Sequence, residues 1–324
     1  MESPTKTKSF LLVGTVILTV LTLCSFFVGK YPLTLSGLLS GDAMQWRVFL
    51  TLRASRAVIG AIGGFVLGVT GFVYQTVFRN PLASPDIIGA SSGASVGAAF
   101  GILFLPGAVA VTLSAFAGAI CCVLLALTLS SLTAEKDGKS IVLSGIAVHS
   151  LAQTALVCLK LLADPEKQLA SIEYWIMGSL SGVTASKIPF PVVIILISSA
   201  LVFLLHRHLL ALSVREDEAR ILGVSVRKTR FFVLFLATLT VAAAVSVTGL
   251  ISFVGLLAPH TARLLTGHNR KSACFLSGLI GSFLLLTADI LAKSLAAVEL
   301  PVSIFTSLLG APFLIYLILS ERRR

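Results

Sequence analysis

The sequence predicts an all-α polytopic membrane protein with about ten transmembrane helices and both termini in the cytoplasm. Three observations predict this class: 56% of the 324 residues are hydrophobic, 12% are charged, and the mean hydropathy is +0.99. A soluble domain carries about 25% charged residues because its surface faces water. Most of this surface must therefore face lipid, which excludes a disordered chain, a secreted disulfide scaffold and an ordinary cytosolic enzyme.

Apolar runs long enough to cross a bilayer recur along the whole chain. A helix needs about 20 apolar residues to cross the hydrocarbon core. The predicted spans are Ser9 to Val28, Ala57 to Phe78, Ile87 to Leu105, Ala108 to Leu132, Ile141 to Leu162, Ile188 to Leu205, Phe231 to Thr248, Ile251 to Leu265, Ser272 to Leu291 and Val302 to Leu319. The first run is too long for a cleaved signal, and no A-x-A site follows it. Because no low-complexity linker divides the runs, residues 1–324 are expected to form a single transmembrane domain.

The run from Phe231 to Ala262 has no charge and is too long for one straight span. If it contains two spans, 17 Lys and Arg residues lie on the cytoplasmic side and 8 lie outside. If it contains one span, 12 Lys and Arg residues lie on the cytoplasmic side and 13 lie outside. The positive-inside rule therefore favours two spans, with a break near Gly249, Gly255 or Pro259. The same clusters explain the formal charge of +11 as membrane orientation, so no nucleic-acid partner is expected.

Glycines recur every four residues in two predicted spans. They are Gly60, Gly64 and Gly68 in the second span, and Gly89, Gly93, Gly97 and Gly101 in the third. Residues four apart share a helix face, so each stripe allows a neighbouring helix to approach closely. The stripes predict a compact helix bundle.

Two cytoplasmic connections have unusual sequences. Residues 79–86 contain two prolines, which stop a helix, and residues 88–95 then enter the membrane as small and hydroxyl-bearing side chains. Such a segment suits either a helix interface or a polar path, and the small side chains by themselves favour the interface. The longest connection, residues 207–230, combines charges with a small apolar group and predicts a short amphipathic helix that ends at Gly223. A partner groove and an ordinary tethered loop both remain open explanations.

These segments carry a resemblance to the permease subunits of bacterial ABC importers for ferric siderophores, haem and cobalamin. Residues 79–94 and 249–265 are similar to the signatures of that family. Shorter similarities lie at Leu52-Arg-x-x-Arg56, Trp175-x-x-Gly-Ser179, Glu218-Ala-x-x-Leu-Gly223 and Leu300 to Pro312. The resemblance covers the chain from about Arg53 to its end, with the motifs in the family's order.

The resemblance implies a translocation pathway along a dimer of permeases, identical or related. Signature and pathway residues would be Gln75, Asn80, Pro81, Gly89, Ser91, Ser92, Gly93, Pro259, His260 and Arg263. It also implies two cytoplasmic ATP-binding cassette subunits, which bind ATP and Mg, so that this chain holds no cofactor. Each ATPase would receive the short helix of the 207–230 coupling loop, through Arg215, Glu218, Ala219, Leu222 and Gly223.

The resemblance further implies that an external binding protein docks its acidic residues on basic residues of the permease. Arg53 and Arg56, at the predicted outer end of the second span, fit this role, since a spacing of three keeps them on one helix face. Snorkelling interfacial arginine is the alternative explanation. Lys293 stands where relatives often carry arginine, and it follows Asp289 by four residues, so an ion pair within the helix competes for its charge. Ser303 replaces a glycine that is usual in the final motif.

Several other chemistries are excluded by the sequence. Gly138-Lys-Ser140 resembles the end of a phosphate-binding loop, but Thr133 stands where that motif needs glycine, so this chain is not expected to hydrolyse ATP. The five histidines are scattered, so no metal site is predicted. No acid, base and nucleophile are grouped as an enzyme requires.

The function predicted from the sequence is that of a permease subunit in the bacterial inner membrane. It moves a ferric siderophore inward by alternating access, driven by ATP hydrolysis in its partners. Cobalamin or haem import is the alternative within the family. An ion-coupled secondary transporter is the rival class, but such proteins usually carry paired intramembrane acids, which are scarce here.

Overall fold

The computed structural model describes residues 4–132, 138–214, 216–221, 223–266, 271–295 and 298–321. Every regular element in these ranges is helical, which confirms the predicted all-α class. The α-helices are α1 Pro4–Phe27, α2 Leu35–Leu39, α3 Ala43–Val48, α4 Ser55–Phe78, α5 Ala90–Phe104, α6 Ala108–Leu132, α7 Gly138–Leu162, α8 Gln168–Ile176, α9 Pro189–Leu204, α10 His206–Ala211, α11 Glu216–Ile221, α12 Val226–Thr248, α13 Val254–Thr266, α14 Lys271–Ser294 and α15 Val302–Glu321.

Each of the ten predicted spans contains a helix, namely α1, α4, α5, α6, α7, α9, α12, α13, α14 and α15. Six helices in the described chain are long and apolar enough to cross a membrane: α1, α4 with its N-terminal extension, α6, α7, α12 and α14. Helices α5, α9 and α15 are apolar but shorter. The remaining one, α13, has 13 residues, which corresponds to about 20 Å of helix.

The long uncharged run after Phe231 contains two helices, as the charge counts predict. Helix α12 ends at Thr248, and Gly249 follows with φ +68°. Phe253 also adopts a positive φ, 68°, immediately before α13 begins at Val254. This left-handed conformation is rare for an aromatic residue, so the break between the two helices is sharply bent.

The third predicted span starts later than expected. Its prediction began at Ile87, but residues Pro85–Ile88 form a 3₁₀ turn and α5 begins at Ala90. The cause is Gly89, whose φ of +83° interrupts the helical path. Helix α5 is consequently only 15 residues long.

Helix packing depends on the predicted glycine stripes. On α4, a Cβ added at Gly68 would lie 2.0 Å from the backbone oxygen of Ser277 in α14, and one at Gly64 would lie 2.5 Å from that of Gly281. On α5, a Cβ at Gly97 would lie 2.0 Å from the backbone oxygen of Ser114 in α6. Only glycine permits such close backbone approach, so the predicted interface role is confirmed.

The core lies around α4, α12 and α14. In the apolar membrane segment of α4 and its N-terminal extension, 78% of the residues are buried, whereas in that of α1 only 6% are buried. The exposed side chains of α1 are mainly apolar, such as Leu12, Val16 and Val20. An exposed apolar helix surface suits contact with lipid, so α1 lies at the edge of the bundle.

Candidate pathway, outer ion cluster and coupling helix

A tight turn connects α4 to α5. Helix α4 ends where Arg79 adopts a left-handed conformation with φ 49°. Asn80 Oδ1 accepts a hydrogen bond from the backbone N–H two residues later, at 2.9 Å, and Pro81 prevents the helix from continuing. The 3₁₀ turn over Pro85–Ile88 then leads into Gly89. Asn80, Pro81 and Gly89 therefore determine the shape of the turn.

A cavity of about 210 Å³ lies between this turn, the break after α12, and α15. Its polar wall includes Asp86 and Ser91, and Ser91 Oγ donates a hydrogen bond to the Asp86 carboxylate. Apolar side chains of neighbouring helices, such as Leu67 and Leu314, form the remaining wall. Of the predicted pathway residues, Ser91 lines this cavity.

Ser92 and Gly93, two further predicted pathway residues, do not line this cavity. Ser92 is 3% exposed, and its Oγ donates to the Gly89 carbonyl at 3.1 Å. A Cβ at Gly93 would lie 2.4 Å from the backbone oxygen of Gly118, so this residue lies in the interface with α6. Successive residues of a helix point in directions about 100° apart, which carries these two away from the cavity that Ser91 faces.

Gln75 and Arg263 connect α4 to α13 in a buried contact. Gln75 Nε2 donates to the Leu256 carbonyl at 3.1 Å, and Gln75 Oε1 accepts from Arg263 Nη1. Arg263 Nη2 donates to Thr76 Oγ1 at 3.2 Å, and the guanidinium lies 4.5 Å from the ring centre of Phe72. Both predicted pathway residues thus stabilise the wall behind the cavity.

Pro259 and His260 also lie in α13. Pro259 is buried inside the helix, where it removes one backbone hydrogen bond. The His260 ring meets Phe313 of α15 edge to face, with 6.2 Å between centroids. This contact joins α13 to α15.

Five charged side chains gather near the predicted outer ends of α4 and α14. We call them the outer ion cluster: Arg53, Arg56, Asp289, Lys293 and Glu299. Arg56 Nε donates to Asp289 Oδ1 at 2.7 Å, and Arg56 Nη1 lies 2.7 Å from Glu299 Oε2. Lys293 Nζ lies 2.5 Å from Asp289 Oδ2, which confirms the predicted competing ion pair.

The three cations predicted to contact an external binding protein are buried, although such a contact requires them to be accessible from outside. Arg53, Arg56 and Lys293 are 7%, 7% and 5% exposed. Arg53 lies in a π-helical segment before α4 and donates to the carbonyls of Val28 and Tyr31, the latter at 3.0 Å. A buried cation needs nearby acceptors, and these come from distant parts of the chain that sequence spacing does not reveal. Docking on these cations stays a prediction.

A second cavity, of about 450 Å³, lies near the predicted outer surface, between α8 and the ends of α5 and α12. Tyr174, Trp175 and Thr248 contribute to its wall, together with Lys187. Lys187 Nζ donates to the Gly182 carbonyl at 2.7 Å. Burial lowers the pKa of this ammonium group.

The predicted short helix of the 207–230 loop is present as α11, Glu216–Ile221. Ala219 is fully buried against this chain, whereas Glu218 is exposed and Ile221 is 84% exposed. Gly223 follows with φ +77° and open space around it. Ala219 therefore anchors the helix to the bundle, and the coupling role predicted for this segment stays a prediction. Arg215 and Leu222 lie outside the described residues.

The whole bundle matches a known transport family. Residues 17–320 match the FecCD transport family. The chain belongs to this family. It is accordingly a multi-pass permease of the inner membrane and of the ABC importer class, and its relatives are transport subunits and not enzymes.

Two FecCD relatives and one structure illustrate the similarity. The chain is 36% identical to a cobalamin import system permease of Halobacterium salinarum, over 83% of this chain and 72% of that protein. It is 35% identical to the hemin transport system permease of Yersinia pestis, over 95% of each chain. The structure is an inward-facing metal-chelate type ABC transporter, with a TM-score of 0.85 and 31% identity over 96% of this chain and 99% of that chain.

Sequence reasoning missed three acidic residues of this FecCD protein. Glu299 and Glu216 are ion-paired with Arg56 and Arg230, and Asp86 lines the smaller cavity. Asp86 could have been predicted as a site residue, since it is the only acid in the signature turn between α4 and α5. The pairing of Glu299 with Arg56 spans 243 residues and has no local signal.

Proposed function

We propose that this FecCD protein is the permease subunit of an ATP-driven importer for a ferric siderophore. Two ATP-binding cassette subunits bind beneath it, a second permease completes the pathway, and an external binding protein delivers the iron chelate. The ATPases supply bound ATP and Mg, and this chain supplies the pathway and the coupling helix.

The observation that carries this proposal is the form of α11. Its exposed Ile221 and Glu218 face away from the bundle, while Ala219 and the Glu216 to Arg230 ion pair attach it to the base of α12. A short helix that is fixed at one side and exposes an isoleucine and a carboxylate at the other suits a groove on a partner. Movement of that partner would thus reach α12 directly.

An ion-coupled mechanism has less support. The acid most suited to a proton relay, Asp289, is fully buried and ion-paired with Arg56 and Lys293. Two neighbouring cations hold this carboxylate in place and compensate its charge, so its contacts give it a structural role.

An iron chelate is the proposed cargo because a relative is named for hemin, itself an iron chelate, and the similar structure is of the metal-chelate type. The wall of the cavity beside Ser91 combines hydroxyl and apolar side chains with the Asp86 carboxylate, a mixed lining that suits a polar cargo. Cobalamin is the second candidate, since a relative at 36% identity is named for its import.

Affinity purification of the tagged chain from its own membranes tests the partners. An ATPase, a binding protein and a permease should copurify. The recovered binding protein is then titrated with ⁵⁵Fe-loaded hydroxamate and catecholate siderophores, hemin and cobalamin. If the binding protein prefers a siderophore, the proposed substrate is supported. If it prefers hemin or cobalamin, the proposed substrate is wrong but the protein is still an importer permease.

A further inference from the structure

The outer ion cluster contains a buried donor without a hydrogen-bond partner among the described residues. Arg56 is 7% exposed, and its Nη2 makes no hydrogen bond within the described chain. Unsatisfied donors on a buried guanidinium are costly, so a further acceptor beside Nη2 would be favourable. Nη1 of the same group is occupied by Glu299.

The charges of the cluster do not balance. Its described members are three cations, Arg53, Arg56 and Lys293, and two carboxylates, Asp289 and Glu299. Arg53 interacts only with backbone carbonyls among its described hydrogen-bond partners. One further carboxylate would neutralise the cluster.

The two carboxylates on Arg56 differ in environment. Asp289 is 0% exposed and is shared with Lys293, so it is fixed. The Glu299 side chain is 29% exposed, lies between α14 and α15, and is ion-paired with Arg56. Partial exposure weakens its ion pair relative to that of Asp289.

We propose that Glu299 is an internal occupant of the docking site: a carboxylate of the external binding protein displaces it from Arg56. Arg56 Nε keeps its bond to Asp289, which holds the guanidinium plane. Nη1, released by Glu299, and the unpartnered Nη2 then form a fork that accepts the incoming carboxylate bidentately. This inference rests on the proposed function.

Glu299 in this role lowers the affinity of docking, because every docking event must first break its pair with Arg56. An exchange of one carboxylate for another requires little net desolvation, which suits a partner that binds and leaves in each cycle. Replacing Glu299 should therefore strengthen docking, whereas replacing Arg56 should weaken it.

The test uses the full chain in nanodiscs and two variants, Glu299→Gln and Glu299→Ala. Glu299→Gln keeps the side-chain size if the alanine variant folds poorly. Glu173→Gln is the matched control, because Glu173 also lies on the predicted outer side and pairs with another cation, Lys160, at 2.9 Å. Phenylglyoxal, an arginine reagent, reports the accessibility of Arg56 by peptide mass spectrometry. Titration with the copurified binding protein reports docking.

We expect faster modification of Arg56 in both Glu299 variants and docking about fivefold tighter than in wild type, with the control unchanged. Equal modification rates in all variants would overturn the proposal, and so would weaker docking, which would mean that Glu299 presents Arg56 to the partner. A wild-type protein that no binding protein recognises would refute the proposed function, while the modification rates would still show whether Glu299 covers Arg56.

Discussion

Arg230 at the base of α12 forms an ion pair with Glu216 of α11. Arg230 is 6% exposed, and its Nε has no hydrogen-bond partner in the described residues. The buried guanidinium therefore depends on Glu216 for charge compensation. Together with the buried Ala219, this pair fixes the short helix to a long one whose other end, at Thr248, reaches the larger cavity.

Charge reversal tests this connection. Glu216→Arg should detach α11 from α12, because the buried Arg230 guanidinium then loses its partner, at a cost of about 3 to 5 kcal/mol. Uptake per ATP hydrolysed should fall about tenfold or more. The double variant Glu216→Arg/Arg230→Glu should recover most of the coupling. A double variant as defective as the single one would contradict a role for the pair.

The exposed side of α11 is expected to contact the ATPase. Ile221→Asp introduces a charge into that apolar contact and should prevent copurification of the ATPase while membrane insertion stays normal. Leu132→Asp is the matched control, since Leu132 is 81% exposed at the predicted cytoplasmic end of α6. Unchanged ATPase recovery with Ile221→Asp would show that α11 is not the contact.

The packing of α4 against α14 leaves no space for a side chain at Gly68. Gly68→Ala places a Cβ 2.0 Å from a backbone oxygen of α14 and should destabilise the protein by about 1 to 3 kcal/mol. Gly63→Ala in the same helix meets its nearest neighbour at 3.8 Å and should be neutral or up to about 1 kcal/mol stabilising. Thermal unfolding in one detergent compares the two. Equal melting temperatures would argue against the close contact.

Ser91 and Ser92 provide a test of the pathway. A membrane-impermeant thiol reagent should label Ser91→Cys, which faces the cavity, and should leave Ser92→Cys unlabelled, since Ser92 is only 3% exposed. Peptide mass spectrometry separates these sites from native cysteines. Labelling should also slow when transport substrate is present. Equal labelling of both positions would contradict the assigned faces of α5.

Much of the fold is predictable because the bilayer imposes it. Apolar length gives the helices, and the Lys and Arg distribution separates α12 from α13 in a run that hydropathy alone leaves ambiguous. The start of α5 was wrong by three residues, because the left-handed conformation of Gly89 depends on the preceding turn. The spacing of the glycines predicted the packing faces of α4 and α5, since close backbone contact between helices requires glycine on one face.

The site was less predictable, because its side chains meet across long sequence separations. Arg263 reaches Gln75 over 188 residues, a contact that the signature motifs alone do not reveal. Spacing of three places Arg53 and Arg56 near each other, but the burial of both comes from carbonyls and carboxylates elsewhere. The ion pair of Asp289 and Lys293 was predictable because it is local to one helix.

The most direct measurement is uptake of the preferred ⁵⁵Fe chelate into proteoliposomes that contain the complete complex, with the ATPase and ATP inside and the binding protein outside. Protonophore and valinomycin are added to abolish ion gradients. We predict uptake that requires ATP and persists without any gradient. Uptake that proceeds without ATP and stops when the gradients collapse would contradict it.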